Sequence, residues 1–332
     1  MMPYMEHIAE RRSVDKESPL VALDSEQRAA FGRTAQVVRH RLHVLAMFED
    51  AELVALLASY PRKWLQAFTM GTDPTRRADW APVEIGDLGG EQIFEAVRRG
   101  RLWLNILNTQ KVDDRYKQVL DALYRSLAEQ CSGFTPLTYT GTLLISSPNA
   151  QVYYHVDGPP NFLWHIRGEK RIYVYPAGDR RLVSQEIMED VFASVADEEM
   201  PFDVAWDAEA VAFDLKPGEG ALWPHNSPHR VVNAGTLNVS LATNHSTPQS
   251  EYRKLIYLAN RFFRRRWHIP ARSVAEHGLF PRIKSDAYRV CRRLRMDPTK
   301  PSFNYHAVWR IDPAAPLGIS RLDGEVRASF AK

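Results

Sequence analysis

The first part of the chain mixes helical and extended patterns of apolar residues. Between Asp24 and Ser59 apolar positions recur at helical spacing, which predicts one helix and then a second, capped by Asp50 and ended by Pro61. WLQAF and RLWLNIL predict strands, DLGGEQIFEAVRRG predicts a helix, and DDRYKQVLDALYRSLAEQC shows strong helical periodicity. Together these segments predict an N-terminal α/β region over residues 24–133.

After Gly133 the pattern becomes that of closely spaced strands. The segments are short, rich in β-branched and aromatic residues, and separated by turn signals such as DGPP, RGEK and KPGEG. They are TYTGTLLI, QVYYHV, NFLWHI, KRIYVYP, AVAFDL, GALWP, HRVVN and TLNVSLAT. Such a block favours a barrel or a jelly roll over residues 134–249, interrupted by an acidic, partly helical insertion near 180–210. Helical patterns return over residues 250–332.

The composition is that of an ordinary globular protein. Of the 332 residues, 45% are hydrophobic and 25% are charged. No apolar run approaches the roughly 18 residues that a membrane-spanning helix needs, so we expect no membrane insertion. Residues 1–23 lack the apolar core of a secretory signal, which predicts a loosely ordered leader. Cys131 and Cys291 lie far apart and form neither a disulfide framework nor a zinc motif, which favours a cytoplasmic location.

A basic segment at residues 253–295 contains the run Arg264–Arg266. It could meet nucleic acid, an anionic lipid or an acidic substrate. We favour a solvated helix face and do not expect nucleic acid as a partner, because the basic residues alternate with apolar ones at helical spacing and no nucleic-acid motif accompanies them. Aromatic and apolar residues of this region predict either a homodimer through the C-terminal helices or packing within the chain. They are Tyr257, Leu258, Phe262, Phe263 and Trp267.

The segment QVYYHVDGPPNF carries the first candidate metal ligands. His155 and Asp157 are separated by one residue, so on a strand both side chains point to the same side. A histidine from another strand would complete two histidines and one carboxylate with open positions, the ligand set of non-haem Fe(II) oxygenases. His225 and His229 lie four residues apart, and either could reach a metal from a loop. We favour His229, because Pro228 stiffens its approach and a strand follows at once.

The span HVDGPPNFLWHIRGEKR resembles the central segment of the JmjC-type hydroxylases, and that of the asparaginyl hydroxylase of hypoxia-inducible factor in particular. The family pattern is H-x-D, then N-F four and five residues after the aspartate, then a G-x-K-R turn, and later P-x-x-x-P-H-x-V. In this chain it falls on His155, Asp157, Asn161, Phe162, Gly168, Lys170, Arg171, Pro224, Pro228, His229 and Val231. The resemblance covers about a third of the chain, essentially the β block.

This resemblance implies a mainly β fold with helical additions. The core would be a double-stranded β-helix, that is, a jelly-roll or cupin barrel, flanked by N- and C-terminal helices. The resemblance further implies Fe(II) bound by His155, Asp157 and His229, and 2-oxoglutarate whose distal carboxylate pairs with Lys170. A carboxylate deep in a barrel needs a cation or several donors to offset its desolvation. An exposed lysine beside the turn at Gly168 is the alternative.

One position departs from the family pattern. The family has a threonine three residues before the first histidine, where it helps to hold 2-oxoglutarate, and this chain has Val152, which cannot donate a hydrogen bond. Tyr139 and Thr142 on the preceding strand are the best-placed replacements. Asn161 and Asn244 are candidates to hydrogen-bond 2-oxoglutarate or the metal ligands, and each could equally be an ordinary polar group at a strand end.

The activity implied by the resemblance is Fe(II)- and 2-oxoglutarate-dependent hydroxylation, or oxidative demethylation, with release of succinate and CO2. The substrate would be a small molecule or a peptide. Two alternatives stay open: a cupin-like binding or regulatory protein without turnover, and a metal-dependent cupin enzyme that does not use 2-oxoglutarate. Lys170 distinguishes the 2-oxoglutarate-dependent oxygenase from the metal-dependent enzyme that does not use 2-oxoglutarate. The latter has no distal carboxylate that needs a partner.

Overall fold

The computed structural model of the chain describes residues 20–196, 200–297, 299 and 306–327. Most of the leader predicted at residues 1–23 lies outside the described residues. Its last four residues belong to the fold, because Leu20 and Leu23 are buried and the strand Val21–Ala22 pairs with a later strand.

Fifteen strands and eight α-helices run through the described residues. The strands are β1 (Val21–Ala22), β2 (Gln36–His40), β3 (Leu65–Thr69), β4 (Ala81–Glu84), β5 (Leu102–Leu107), β6 (Thr138–Ser146), β7 (Gln151–His155), β8 (Asn161–Arg167), β9 (Lys170–Val174), β10 (Val211–Leu215), β11 (Glu219–Leu222), β12 (His229–Asn233), β13 (Asn238–Ser246), β14 (His306–Ile311) and β15 (Ile319–Arg327). The helices are α1 (Ser25–Ala30), α2 (Asp50–Ser59), α3 (Gly90–Arg99), α4 (Thr109–Val112), α5 (Asp114–Gln130), α6 (Gln185–Phe192), α7 (Pro248–Trp267) and α8 (Leu279–Arg293). Each of the eight strands predicted between residues 138 and 243 is present, as β6 to β13.

The strands form two sheets. The larger sheet has the order β1-β2-β11-β8-β13-β6-β5-β3-β4-β14-β15, and the smaller sheet has the order β10-β9-β12-β7. Between β6 and β13 the chain crosses repeatedly from one sheet to the other, and every pairing among these eight strands is antiparallel. The fold is therefore mainly β, with most of its helices before β6 or after β13.

Two apolar layers hold the larger sheet in place. On one face Leu163 packs with Ile172 and Val231 of the smaller sheet, because the period of two along a strand sends alternate side chains to this side. On the other face α3 and α5 pack through apolar side chains such as Val97 and Leu120. The smaller sheet therefore faces the larger one across an apolar layer, and the helices cover the opposite side.

The helix predicted from Asp24 onward was wrong at Val37 and Val38, which lie in β2. α1 is followed by β2 and by two short 3-10 turns, and α2 comes only at the end of the segment. β2 pairs with β11, with Gly220 opposite Val38, and β-branched valines suit a strand. A partner strand from far along the chain thus overrides the local helical period.

The C-terminal region contains more than the predicted helices. α7 and α8 pack together through Phe262, Phe263 and Tyr288, so two of the aromatic residues considered for a dimer interface are used within the chain. β14 and β15 form a hairpin, and β14 runs parallel to β4 in the larger sheet. The expectation of a helical region up to the C-terminus was therefore wrong for residues 306–327.

The acidic insertion near residues 180–210 carries α6, which docks on α7 through ion pairs. The buried carboxylate of Glu189 contacts Arg264, and the carboxylate of Asp190 lies 2.8 Å from Arg265. Arginines of the basic segment are therefore engaged within the molecule.

The outer face of α8 is apolar and open to solvent. Leu279, Phe280, Ile283 and Leu294 each expose more than half of their surface. Among the described helices, none combines the length and the apolar composition that crossing a bilayer requires.

Candidate metal centre and its cavity

His155, Asp157 and His229 come together where β7 and β12 pair. His155 is the last residue of β7, Asp157 follows two residues later, and His229 is the first residue of β12, directly opposite His155. The candidate ligand atoms of the three side chains all lie within 4.8 Å of one another. The structure therefore groups the three residues that the sequence singled out.

The hydrogen bonds of the two histidines fix their orientation. The Nδ1 atom of His155 lies 2.8 Å from the carbonyl oxygen of Tyr153, and that of His229 lies 3.1 Å from the carbonyl oxygen of Ser227. A carbonyl oxygen only accepts, so Nδ1 carries the proton and Nε2 keeps its lone pair. Both imidazoles therefore present a free Nε2 atom of the kind that binds a metal ion.

The contact between His229 and Asp157 is unfavourable unless a cation lies between the two side chains. The Nε2 atom of His229 lies 3.3 Å from Oδ2 of Asp157. Burial, together with neighbouring His155, lowers the pKa of His229 well below its usual value, so the ring is neutral at neutral pH. A lone pair and a carboxylate oxygen then face each other, which is unfavourable unless a cation lies between them. The donor set of two imidazoles and one carboxylate fits Fe(II).

Three contacts hold the segment around Asp157. The amide of Asn161 donates to Oδ2 of Asp157, and the amide of Asn226 donates to the backbone carbonyl of Asp157 at 2.9 Å. His225 donates from Nε2 to the carbonyl of Gly158 at 2.8 Å. Burial lowers the pKa of His225 to about 3, and this ring does not line the cavity at the three candidate ligands. His225 thus supports the loop, whereas the role of Asn226 was not foreseen.

The three candidate ligands open into a cavity of about 620 Å³. Both sheets contribute to its lining, and four of the residues proposed to bind 2-oxoglutarate lie on it. They are Lys170, Asn161, Thr142 and Asn244. Val152, the position at which the family has threonine, also lines the cavity, as does Thr140. Hydroxyl groups from β6 are therefore available where the valine has none.

Tyr139 lies elsewhere, so its predicted place in the cofactor site was wrong. Its hydroxyl donates to Asp121 at 2.7 Å, and its ring stacks on Tyr124 with the centroids 4.4 Å apart. Residues 139 and 142 differ by an odd number, so on β6 they point to opposite faces of the sheet. Thr142 faces the cavity, and Tyr139 faces the helical layer.

Lys170 is a buried lysine on the wall of the cavity. Its residue is 5% exposed, and no hydrogen-bond or ion-pair partner for its ammonium is found among the residues that the structure describes. Burial lowers its pKa to about 7. Lys170 pairs with Asn233, which is four residues from His229 on β12, or about 13 Å along the strand. The lysine side chain and a five-carbon dicarboxylate together fit this span.

The N-terminal region also contributes to the cavity, which the sequence analysis missed. Gln66 of β3 and Asn105 of β5 line it together with Trp64 and Trp103. A signal was present, because each amide interrupts an otherwise apolar strand, WLQAF or LWLNIL. Their closeness to the metal ligands depends on long-range sheet pairing and could not be inferred locally.

Comparisons with known proteins give distant structural likenesses. No family model and no curated protein matches this chain. A structure of YcfD, a ribosomal oxygenase from Escherichia coli in complex with cobalt and 2-oxoglutarate, is 14% identical, with a TM-score of 0.47 over 84% of this chain and 68% of that chain. The complex of that oxygenase with cobalt and succinic acid is 12% identical, with a TM-score of 0.44 over 85% and 69% of the two chains. The DMSP lyase DddQ from Ruegeria pomeroyi is 9% identical, with a TM-score of 0.22 over 34% and 40%. These values are too low to assign an activity to this chain.

Proposed function

We propose that the chain is an Fe(II)- and 2-oxoglutarate-dependent oxygenase. One observation carries this proposal: a cluster of two imidazoles and a carboxylate shares a cavity with a buried lysine. The cluster supplies the ligand set of non-haem Fe(II) sites. The lysine supplies a cation for a ligand carboxylate, which a metal-dependent enzyme without 2-oxoglutarate does not need.

The strand order supports a double-stranded β-helix around this site. When β6 to β13 are numbered one to eight, the larger sheet contains the order 6-3-8-1 and the smaller sheet the order 5-4-7-2. This is the order of a jelly roll, in which a chain folded into long hairpins rolls up into two facing sheets. The metal ligands would then lie on the second and seventh strands, at one end of the roll.

The residues of the chain have distinct tasks in this proposal. Fe(II) and 2-oxoglutarate, when bound, supply O2 activation coupled to decarboxylation of 2-oxoglutarate to succinate and CO2. His155, Asp157 and His229 hold the metal, and Asn161 fixes the orientation of the carboxylate ligand. Lys170 pairs with the distal carboxylate of the co-substrate. The outcome is hydroxylation of a substrate, or demethylation if the hydroxylated group is an N-methyl group.

Finer properties remain predictions. The likeness to the asparaginyl hydroxylase of hypoxia-inducible factor rests on the motif between His155 and Arg171. A homodimer through the C-terminal helices would use the exposed apolar face of α8. A cytoplasmic location is in keeping with the buried free thiols of Cys131 and Cys291.

Succinate formation tests the proposal directly. Purified protein supplied with Fe(II), 2-oxoglutarate and O2 should form succinate slowly even without a substrate, and His155→Ala and Asp157→Ala should abolish this while circular dichroism stays unchanged. His277→Ala, which alters an exposed histidine, is the matched control and should retain the wild-type rate. Equal succinate formation by the wild type and Asp157→Ala would remove the proposed metal site.

A further inference from the structure

The part of the cavity along β3 and β5, which we call the arm, contains none of the residues assigned to the metal or to 2-oxoglutarate. There Trp103 packs beside Ala150, which precedes β7, and beside Tyr153 of β7. In the larger sheet β5 and β3 lie beyond β6, whereas Lys170 lies on β9, on the far side of β12 from β7. The arm and the lysine thus extend in different directions from the metal ligands.

Two amide side chains line the arm, and their N–H groups have no hydrogen-bond partner among the described residues. Gln66 is 5% exposed, and no hydrogen-bond partner for its side chain is found among the described residues. Next to it, Oδ1 of Asn105 accepts from the indole nitrogen of Trp103 at 2.9 Å. An indole N–H can only donate, so this bond fixes the amide of Asn105 and leaves its nitrogen available as a donor. Both amides line the cavity, so a ligand that supplies acceptor oxygens could take up their N–H groups.

The charges around the arm are positive. Lys111 is exposed on the cavity wall, and its ammonium lies 6.0 Å from the ring centroid of Trp64. Among the described residues that line the cavity, Asp157 is the only acidic one. The charges of Fe(II) and the 2-oxoglutarate dianion cancel, and Asp157 offsets one of the two lysines. The loaded cavity therefore keeps one positive charge, apart from its histidines.

We propose that this arm is the substrate subsite and that it binds a substrate carboxylate. The amides of Gln66 and Asn105 donate to the carboxylate oxygens, and Lys111 supplies the opposite charge at the entrance. Guanidinium and alkylammonium groups are disfavoured, because Lys111 and the net positive charge of the loaded cavity repel them. The inference rests on the proposed function, since it assigns the substrate class of that same cavity.

Binding of three capped amino acids tests this subsite. The probes are acetyl-aspartate amide, its neutral isostere acetyl-asparagine amide, and acetyl-arginine amide. Each is titrated calorimetrically, without oxygen, into the full chain loaded with Fe(II) and saturating 2-oxoglutarate. We expect the aspartate probe to bind at least tenfold more tightly than the asparagine probe, and the arginine probe to bind least.

Two variants separate the charge from the amide. Lys111→Met changes an exposed residue and should remove the preference for aspartate over asparagine. Gln66→Leu should weaken both probes about tenfold and leave the Kd for 2-oxoglutarate unchanged, which also shows that the variant is folded. Equal binding of the aspartate and asparagine probes to the wild type, tighter binding of arginine, or no binding of any probe would overturn the subsite.

A separate titration distinguishes failure of the subsite from failure of the proposed function. The same probes are titrated into Lys170→Met without metal or 2-oxoglutarate. This variant has no ammonium at position 170 that could bind the aspartate probe, so the titration measures binding to the arm alone. If the aspartate preference persists there while the wild type fails to bind Fe(II) and 2-oxoglutarate, the subsite stands and the oxygenase proposal falls. If both cofactors bind and the preference is missing, the subsite alone falls.

Discussion

Replacing Lys170 by methionine should stabilise the ligand-free protein and weaken 2-oxoglutarate binding at the same time. Burial lowers the pKa of Lys170 from 10.5 to about 7. At about 1.4 kcal/mol per pKa unit, this shift corresponds to about 4 to 5 kcal/mol by which burial opposes the charged form. Methionine keeps a long apolar side chain in the cavity wall and has no charge to desolvate. The free energy of unfolding should therefore rise by up to about this amount at pH values below 7.

The pH dependence of stability has a definite sign. The pKa of Lys170 is lower in the folded than in the unfolded chain, so the unfolded chain binds more protons between about pH 7 and 10.5. The destabilisation by burial is fully present below this window and disappears as the pH rises through it. Urea denaturation across the window should show the contribution of Lys170 as a rise in stability with pH that Lys170→Met lacks.

The effect on binding should have the opposite direction. Removing one partner of a buried charge pair costs about 2 to 5 kcal/mol, so the Kd for 2-oxoglutarate should increase about 30-fold or more. Anaerobic calorimetry in the presence of Fe(II) measures this Kd. Arg171→Met is the matched control, because Arg171 is exposed and paired with Asp214, and it should change the Kd little. A Lys170→Met protein that is less stable than the wild type below pH 7, or that binds 2-oxoglutarate equally well, would refute the reasoning.

Three further predictions concern the surroundings of the site and the helical region. Asn161→Ala removes the donor that orients the carboxylate ligand and should weaken Fe(II) binding about 10- to 100-fold in a competition with a chelating dye; an unchanged affinity would contradict this role. Arg264→Met leaves the fully buried carboxylate of Glu189 without its cation. Urea denaturation should show a free energy of unfolding lower by about 3 to 5 kcal/mol. A decrease no larger than that caused by removing a surface ion pair would contradict this prediction. Phe280→Glu combined with Ile283→Glu should convert a dimer into a monomer in sedimentation velocity if α8 forms the interface; the same sedimentation coefficient for both proteins would place any interface elsewhere.

The sequence could predict the local position of each site residue relative to a strand. His155 and Asp157 lie two residues apart, which predicted that they share one side, and they do so although β7 ends at His155. His229 is the first residue of β12, and the turn at Gly168 precedes β9, which begins with Lys170. These placements are local, whereas the grouping of His229 and Lys170 with His155 depends on the pairing of β12 with β7 and β9. Before the structure, that grouping was implied only by the resemblance to the JmjC-type hydroxylases.

The errors arose where local and long-range structure differ. The assignment of Tyr139 to the cofactor site ignored the alternation of faces along β6, which would have excluded Tyr139 once Thr142 was accepted. Val38 was assigned to a helix because the spacing of nearby apolar residues does not reveal its pairing with Gly220. Gln66 could be noticed as a polar residue in an apolar strand, but its position beside the metal ligands follows from the order of the larger sheet.

The central claim is tested most directly by visible absorption of the purified protein under anaerobic conditions, titrated with Fe(II) and then with 2-oxoglutarate. We predict a weak charge-transfer band that requires both additions and is absent from Asp157→Ala. Iron binding without any band on addition of 2-oxoglutarate, or the same band in Asp157→Ala, would contradict the proposed site.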